Sequence, residues 1–92
     1  MPIKDDKICR ICGLLQLNPP WGIDGRTPSF EICDCCGAEF GYNDVTLQTI
    51  YQYRQSWLSQ GANWFDRTQK PEGWSLEAQL KQIPDRFAPR NS

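Results

Sequence analysis

Cys9-Arg10-Ile11-Cys12-Gly13 and Cys33-Asp34-Cys35-Cys36-Gly37 both read C-x-x-C-G and are separated by 20 residues. No other feature of the chain restricts its fold as much. A two-residue gap bends the backbone so that both sulfurs face one point. The glycine that follows accepts the positive φ such a turn needs. Two of these turns facing each other supply four sulfurs in a tetrahedral array, the closed arrangement of a structural zinc site. The intervening stretch fits two short strands and a loop that return the second turn to the first. The expected architecture is therefore a zinc ribbon with rubredoxin-like knuckles, with Cys9, Cys12, Cys33 and Cys36 as the ligands of one Zn2+.

Iron is the rival metal, because four thiolates in paired turns suit it equally well. Two disulfides would leave one of the five cysteines over, and Met1 to Arg10, with Lys4, Asp5, Asp6 and Lys7, has no apolar stretch to act as an export signal. A thioredoxin-like role lacks the surrounding βαβ pattern. Cys35 is the spare thiol. Pairing it with Cys33 leaves one residue between sulfurs and pairing it with Cys36 leaves none, so neither pair aims easily at one ion. Four thiolates around one Zn2+ also carry a net negative charge, which opposes ionisation of a fifth. The expectation is an inert or weakly reactive thiol.

Beyond the cysteines, the chain reads as a single α+β domain over 1–92 with two differently patterned parts. Residues 1–43 form the ribbon part: Lys7–Cys12, Leu14–Leu17, Phe30–Cys33 and Ala38–Tyr42 read as short strands or turns, and 18–29 as a Pro- and Gly-rich loop. Residues 44–85 form a helical extension. Leu47, Ile50, Tyr51, Arg54, Trp57 and Leu58 make one stripe of a helix over 44–60, with Asn43 or Asp44 as N-cap and Gly61 past its end. A shorter helix is expected over 75–83, capped by Ser75, with Leu76, Leu80 and Ile83 on one face and Pro84 stopping it. Residues 86–92 read as a frayed tail. No apolar run reaches the roughly 20 residues of a membrane span.

The chain lacks histidine, which excludes Cys/His and Ser/His/Asp catalysis and mixed Cys/His zinc sites. Asp5, Asp6, Asp24, Asp34, Glu39 and Asp44 make no recognisable general acid and base pair. The expectation is a protein that is not an enzyme. Formal charge is −2 over residues 1–43 and +1 over 44–92, and a zinc tetrathiolate takes the first part to −4. An acidic ribbon disfavours nucleic acid, which is recognised through its phosphates.

The two C-x-x-C-G turns, the run Phe30-Glu31-Ile32-Cys33-Asp34-Cys35-Cys36-Gly37 and the following Glu39-Phe40-Gly41-Tyr42-Asn43-Asp44 resemble small bacterial proteins with a cysteine-rich CPCC-type zinc-ribbon domain. Tyr53 to Trp57, Gly61 to Asp66 and Trp74 to Leu76 are similar to the helical extension in one branch of that family, so the resemblance runs from about residue 8 to 85. Asp34 departs from it, standing where the family's name has proline. The resemblance implies a bacterial, cytoplasmic, zinc-binding protein and supplies no substrate.

Ten aromatic residues lie between Trp21 and Trp74. In a chain with few aliphatic side chains most of them are expected to pack between ribbon and helix. Trp21 and Trp64 sit in loops and are the candidates for an exposed partner surface. The resulting expectation is a zinc-stabilised protein-interaction module, of which an immunity-type inhibitor of a toxin is one concrete version. A rubredoxin-like electron carrier and a nucleic-acid-binding ribbon follow as second and third readings.

Overall fold

A computed structural model of the chain describes residues 5–88. Its regular elements are two α-helices, α1 (Leu47–Ser59) and α2 (Leu76–Leu80), and single 3-10 turns at Asp5–Lys7, Arg67–Gln69 and Asp85–Phe87. Among the described residues the four segments read as short strands or turns form turns and no strands. Each C-x-x-C turn is instead closed by one isolated antiparallel bridge, Ile8 with Leu15 and Ile32 with Glu39. The pieces are too short to build a ladder, and their remaining polar groups turn to other partners. The α+β expectation is corrected to a largely irregular fold carried by two helices.

Helix α1 starts at Thr46 rather than at the expected Asn43 or Asp44. Thr46 Oγ1 accepts from the Thr49 backbone N–H (3.1 Å) and Thr49 Oγ1 accepts from the Thr46 backbone N–H (3.2 Å), a reciprocal capping box. The two upstream side chains are engaged elsewhere: Asn43 Oδ1 accepts from Glu39 N–H and Asp44 Oδ1 from Gly41 N–H. Gly61 ends the helix with φ +103°. Its N–H reaches the Leu58 carbonyl while the Ala62 N–H reaches that of Trp57, the two bonds of a Schellman motif. Ile50, Arg54 and Trp57 are buried along α1 as the stripe predicts, but Leu47 is exposed.

Ser75 caps α2 through the Ala78 N–H, as expected. The helix is shorter than the 75–83 reading. Beyond Leu80, Gln82 N–H bonds to Gln79 O and Ile83 N–H to Leu80 O, tightening the chain toward Pro84. Gln79 is buried on the inner face of α2, between the positions that apolar spacing selects.

The core consists of the five cysteines with Ile11, Ala38, Phe40, Ile50, Trp57, Ala62 and Trp64. Both parts of the chain contribute to it, and the Cα radius of gyration of 12.2 Å matches the ~12 Å of a single domain this size. Phe40 and Trp57 pack inside as expected of the aromatics, whereas Phe30, Tyr42 and Phe65 are exposed. Trp64 is only 5% exposed and meets Trp74 edge to face, so its expected place on an open surface is corrected. Residues 86–88 are not loose either: Phe87 packs against the core cluster, and its carbonyl accepts from Arg54. The rest of the expected frayed tail lies outside the described residues.

Candidate metal centre

The two cysteine turns share one backbone design. In the first, Cys9 N–H bonds to Leu14 O, Gly13 N–H to Cys9 O and Gln16 N–H to Lys7 O. In the second, Cys33 N–H bonds to Ala38 O, Gly37 N–H to Cys33 O and Phe40 N–H to Glu31 O. These are the same three bonds moved along the chain by 24 residues. Gly13 and Gly37 both take positive φ, +87° and +77°. A side chain is excluded at Gly13 by packing as well, since a Cβ there would overlap the Gln79 carbonyl oxygen.

Cys9, Cys12, Cys33 and Cys36 bring their sulfurs within 4.8 Å of one another, and all four residues are buried. The pairs cross between turns: Cys9 Sγ lies 3.8 Å from Cys36 Sγ, and Cys12 Sγ 3.6 Å from Cys33 Sγ. All five cysteines are free thiols. A tetrahedron with Zn–S of about 2.3 Å has edges of about 3.8 Å. The sulfur set therefore has the dimensions of a tetrahedral metal shell. In the bare cluster, S–H donation from Cys12, Cys36 and Cys9 pulls the Cys33 thiol far below its ordinary value despite burial. Burial, with the neighbouring sulfurs, pushes the Cys12 thiol up.

Cys35 falls outside this set. In the repeated backbone it occupies the position of Ile11, and both side chains are fully buried. It is a core residue at the packing position of its turn. Its sulfur receives a 3.3 Å contact from Gln79 Nε2, which also donates to Cys12 O at 3.1 Å. Trp74 Nε1 holds the other end of that amide through Gln79 Oε1.

Every carbonyl in the two turns' x-x-C segments has a donor. Arg54 Nε donates to Ile11 O (2.6 Å) and Nη2 to Arg10 O (2.8 Å), while Gln79 takes Cys12 O. At the second turn, Asp66 N–H donates to Asp34 O (2.8 Å), Phe65 N–H to Cys35 O (2.9 Å) and Tyr53 Oη to Cys36 O (2.9 Å). Gln16 Nε2 reaches Cys33 Sγ at 3.5 Å. Arg54, Tyr53 and Gln79 thus frame the centre, and sequence reasoning gave them no such role. Arg54 did carry a signal, as a cation on the apolar stripe of α1. Gln79 carried none.

Trp21, the other aromatic expected on a partner surface, is half-buried. Its indole N–H donates to Asp44 Oδ2 (2.8 Å), and the Arg10 guanidinium stacks between it and Phe87, 4.3 and 4.5 Å from the ring centres. One face of Trp21 is thus covered by Arg10, while Trp64 is buried.

No protein-family model matches the chain, and no solved structure does. Over 68 residues the chain is 35% identical to the uncharacterized protein YoaQ of Bacillus subtilis (strain 168), an alignment covering 59% of this chain. The chain spans 56% of that relative's length. No helix among the described residues is long and apolar enough to cross a membrane.

Proposed function

We propose that this protein is a structural zinc-binding, non-enzymatic protein-interaction module of the bacterial cytoplasm, with one Zn2+ held by Cys9, Cys12, Cys33 and Cys36. The observation that carries the metal reading is the sulfur spacing, 3.6 and 3.8 Å across the two turns, against the ~3.8 Å edge of a zinc tetrathiolate. Four thiolates complete a tetrahedral shell and leave no position for a reacting water, which supports a structural ion over a catalytic one. An odd cysteine count with two metal-spaced C-x-x-C pairs supports a reducing compartment. The CPCC-type resemblance and the Bacillus relative support a bacterial setting.

The partner is a protein with a basic, aliphatic contact segment. Leu15, Leu17 and Ile32 stand exposed around a groove of about 410 Å³ that Glu31 and Asp34 also line, an apolar surface with an acidic rim. An immunity-type inhibitor facing a basic toxin is one form of this reading. The same four sulfurs favour a second reading, a rubredoxin-like iron electron carrier.

Elemental analysis of protein purified anaerobically from unsupplemented host cells separates the two. One zinc per chain supports the module. Iron with visible absorbance overturns it in favour of the carrier. Binding to mixed-sequence DNA and RNA is expected to be negligible at about 0.15 M salt, where non-specific binders reach Kd of roughly 10⁻⁴–10⁻⁶ M. Sub-micromolar, salt-sensitive binding to either would overturn the protein-partner reading.

A further inference from the structure

Arg54 is 1% exposed, and its guanidinium makes three hydrogen bonds, all to carbonyls: Ile11 O, Arg10 O and Phe87 O. It has no carboxylate partner among the described residues. A buried charge is costly unless an opposite charge faces it. Two of its three acceptors are the residues between Cys9 and Cys12, so the cation is fastened to the back of the first turn. The second turn has the same need and meets it without charge, by the backbone N–H groups of Asp66 and Phe65. Hydrogen bonding therefore does not explain a cation at this place. The Arg10 and Ile11 acceptors lie on the chain between Cys9 and Cys12, two of the four clustered cysteines, so the cation sits against the turn that carries them. Burial lowers the Arg54 pKa, while Tyr51 and the charges of Cys9, Cys12 and Cys36 raise it. An arginine stays protonated against such opposition.

We propose that Arg54 is the built-in counter-charge of the metal centre, a positioning residue that stabilises the dianionic divalent tetrathiolate relative to less negative states. The inference rests on the reading that the four cysteines hold a metal. It goes beyond that reading in assigning the centre's charge balance to one side chain of α1. Its consequence is directional. With Zn2+, the counter-charge slows protonation of the sulfurs and metal release. With iron, one electron from an electrode converts the Fe(III) tetrathiolate of charge −1 to the Fe(II) form of charge −2. A fixed cation beside the cluster favours that product.

The test uses total chemical synthesis of the whole chain with citrulline in place of Arg54. Citrulline keeps the Nε–H and one terminal NH2 and removes the charge. Loaded with Fe2+ alone, this chain should show the Fe(II) state weakened about tenfold, a potential lower by about 59 mV for one electron. Loaded with Zn2+ alone, it should lose zinc to a chelator about tenfold faster. Arg54→Lys, which keeps charge and loses the fork, should stay within about threefold of the unmodified chain in both measurements. Unchanged potential and release in the citrulline chain would overturn the proposal, as would equal shifts in the citrulline and lysine chains. If the citrulline chain fails to fold with either metal while Arg54→Lys folds, the charge is required and the proposal stands. If both fail, the carbonyl fork is what matters and the proposal falls. Failure of the unmodified chain to bind either ion would instead remove the metal reading.

Discussion

Replacing Gly13 by alanine measures how closely the C-terminal half is seated on the four-cysteine cluster. Three glycines provide an internal scale, because Gly13, Gly25 and Gly37 have φ of +87°, +73° and +77°. Each alanine then carries about 1–2 kcal/mol of left-handed strain. At Gly25 nothing lies within 4 Å of the new Cβ, so strain is the whole cost. At Gly37 the Cβ meets the Phe65 side chain at 3.0 Å, and Phe65, 65% exposed, can swing aside. At Gly13 the obstacle is backbone. The Cβ overlaps the Gln79 carbonyl and meets Ile83 Cγ1 at 3.1 Å, so α2 must retreat. That retreat stretches the bonds from Gln79 Nε2 to Cys12 O and from Gln82 Nε2 to Gly13 O, each contributing about 0.5–1.5 kcal/mol. The expected loss at Gly13 is therefore about 2–5 kcal/mol, against about 1–2 at Gly25 and a little more at Gly37. Urea unfolding at one fixed free zinc concentration compares the three, since bound metal adds to apparent stability. A Gly13→Ala cost within ~0.5 kcal/mol of Gly25→Ala would show that α2 does not bear on the first turn.

The remaining expectations are simpler. Cys35→Ala should retain one metal per chain and lose about 1–2 kcal/mol from a small buried gap, while Cys36→Ser should bind metal far more weakly. The reverse pattern in elemental analysis would reassign the ligands. Thr46→Ala removes the capping box and should cost about 1 kcal/mol, whereas Asn43→Ala should leave α1 helicity unchanged; circular dichroism and urea midpoints decide between them. Asp24 accepts from Arg26 N–H and from the N–H and hydroxyl of Thr27, which holds its carboxyl below the ordinary aspartate value. Its contribution is present above the unfolded value and lost as pH falls through the lower folded value, so Asp24→Asn should flatten the acid limb. A carboxyl titration by NMR with its midpoint at or above that of an unstructured aspartate would contradict this.

The paired C-x-x-C-G repeats by themselves determined which sulfurs meet. Two-residue spacing and a glycine that tolerates positive φ are local properties, and a turn with those properties aims its sulfurs the same way in any surroundings. The helix at α1 was legible for a similar reason, since its stripe and the Gly61 stop act within a few residues. Strand formation was not legible, because a bridge extends into a ladder only when neighbouring backbone is free to pair. Here Asn43, Asp44 and Arg54 claim the polar groups that lie around the turns. Tertiary structure alone decided that Trp64 goes inside, that Cys35 packs where Ile11 packs, and that Gln79 joins α2 to Cys12. The burial of Arg54 is the sharpest case. Its place on the apolar stripe was visible, but the carbonyls that hold its guanidinium come from residues 10, 11 and 87. Only the folded chain brings them together, because hydrogen bonds and charge act across space while sequence patterns record only what lies along the chain.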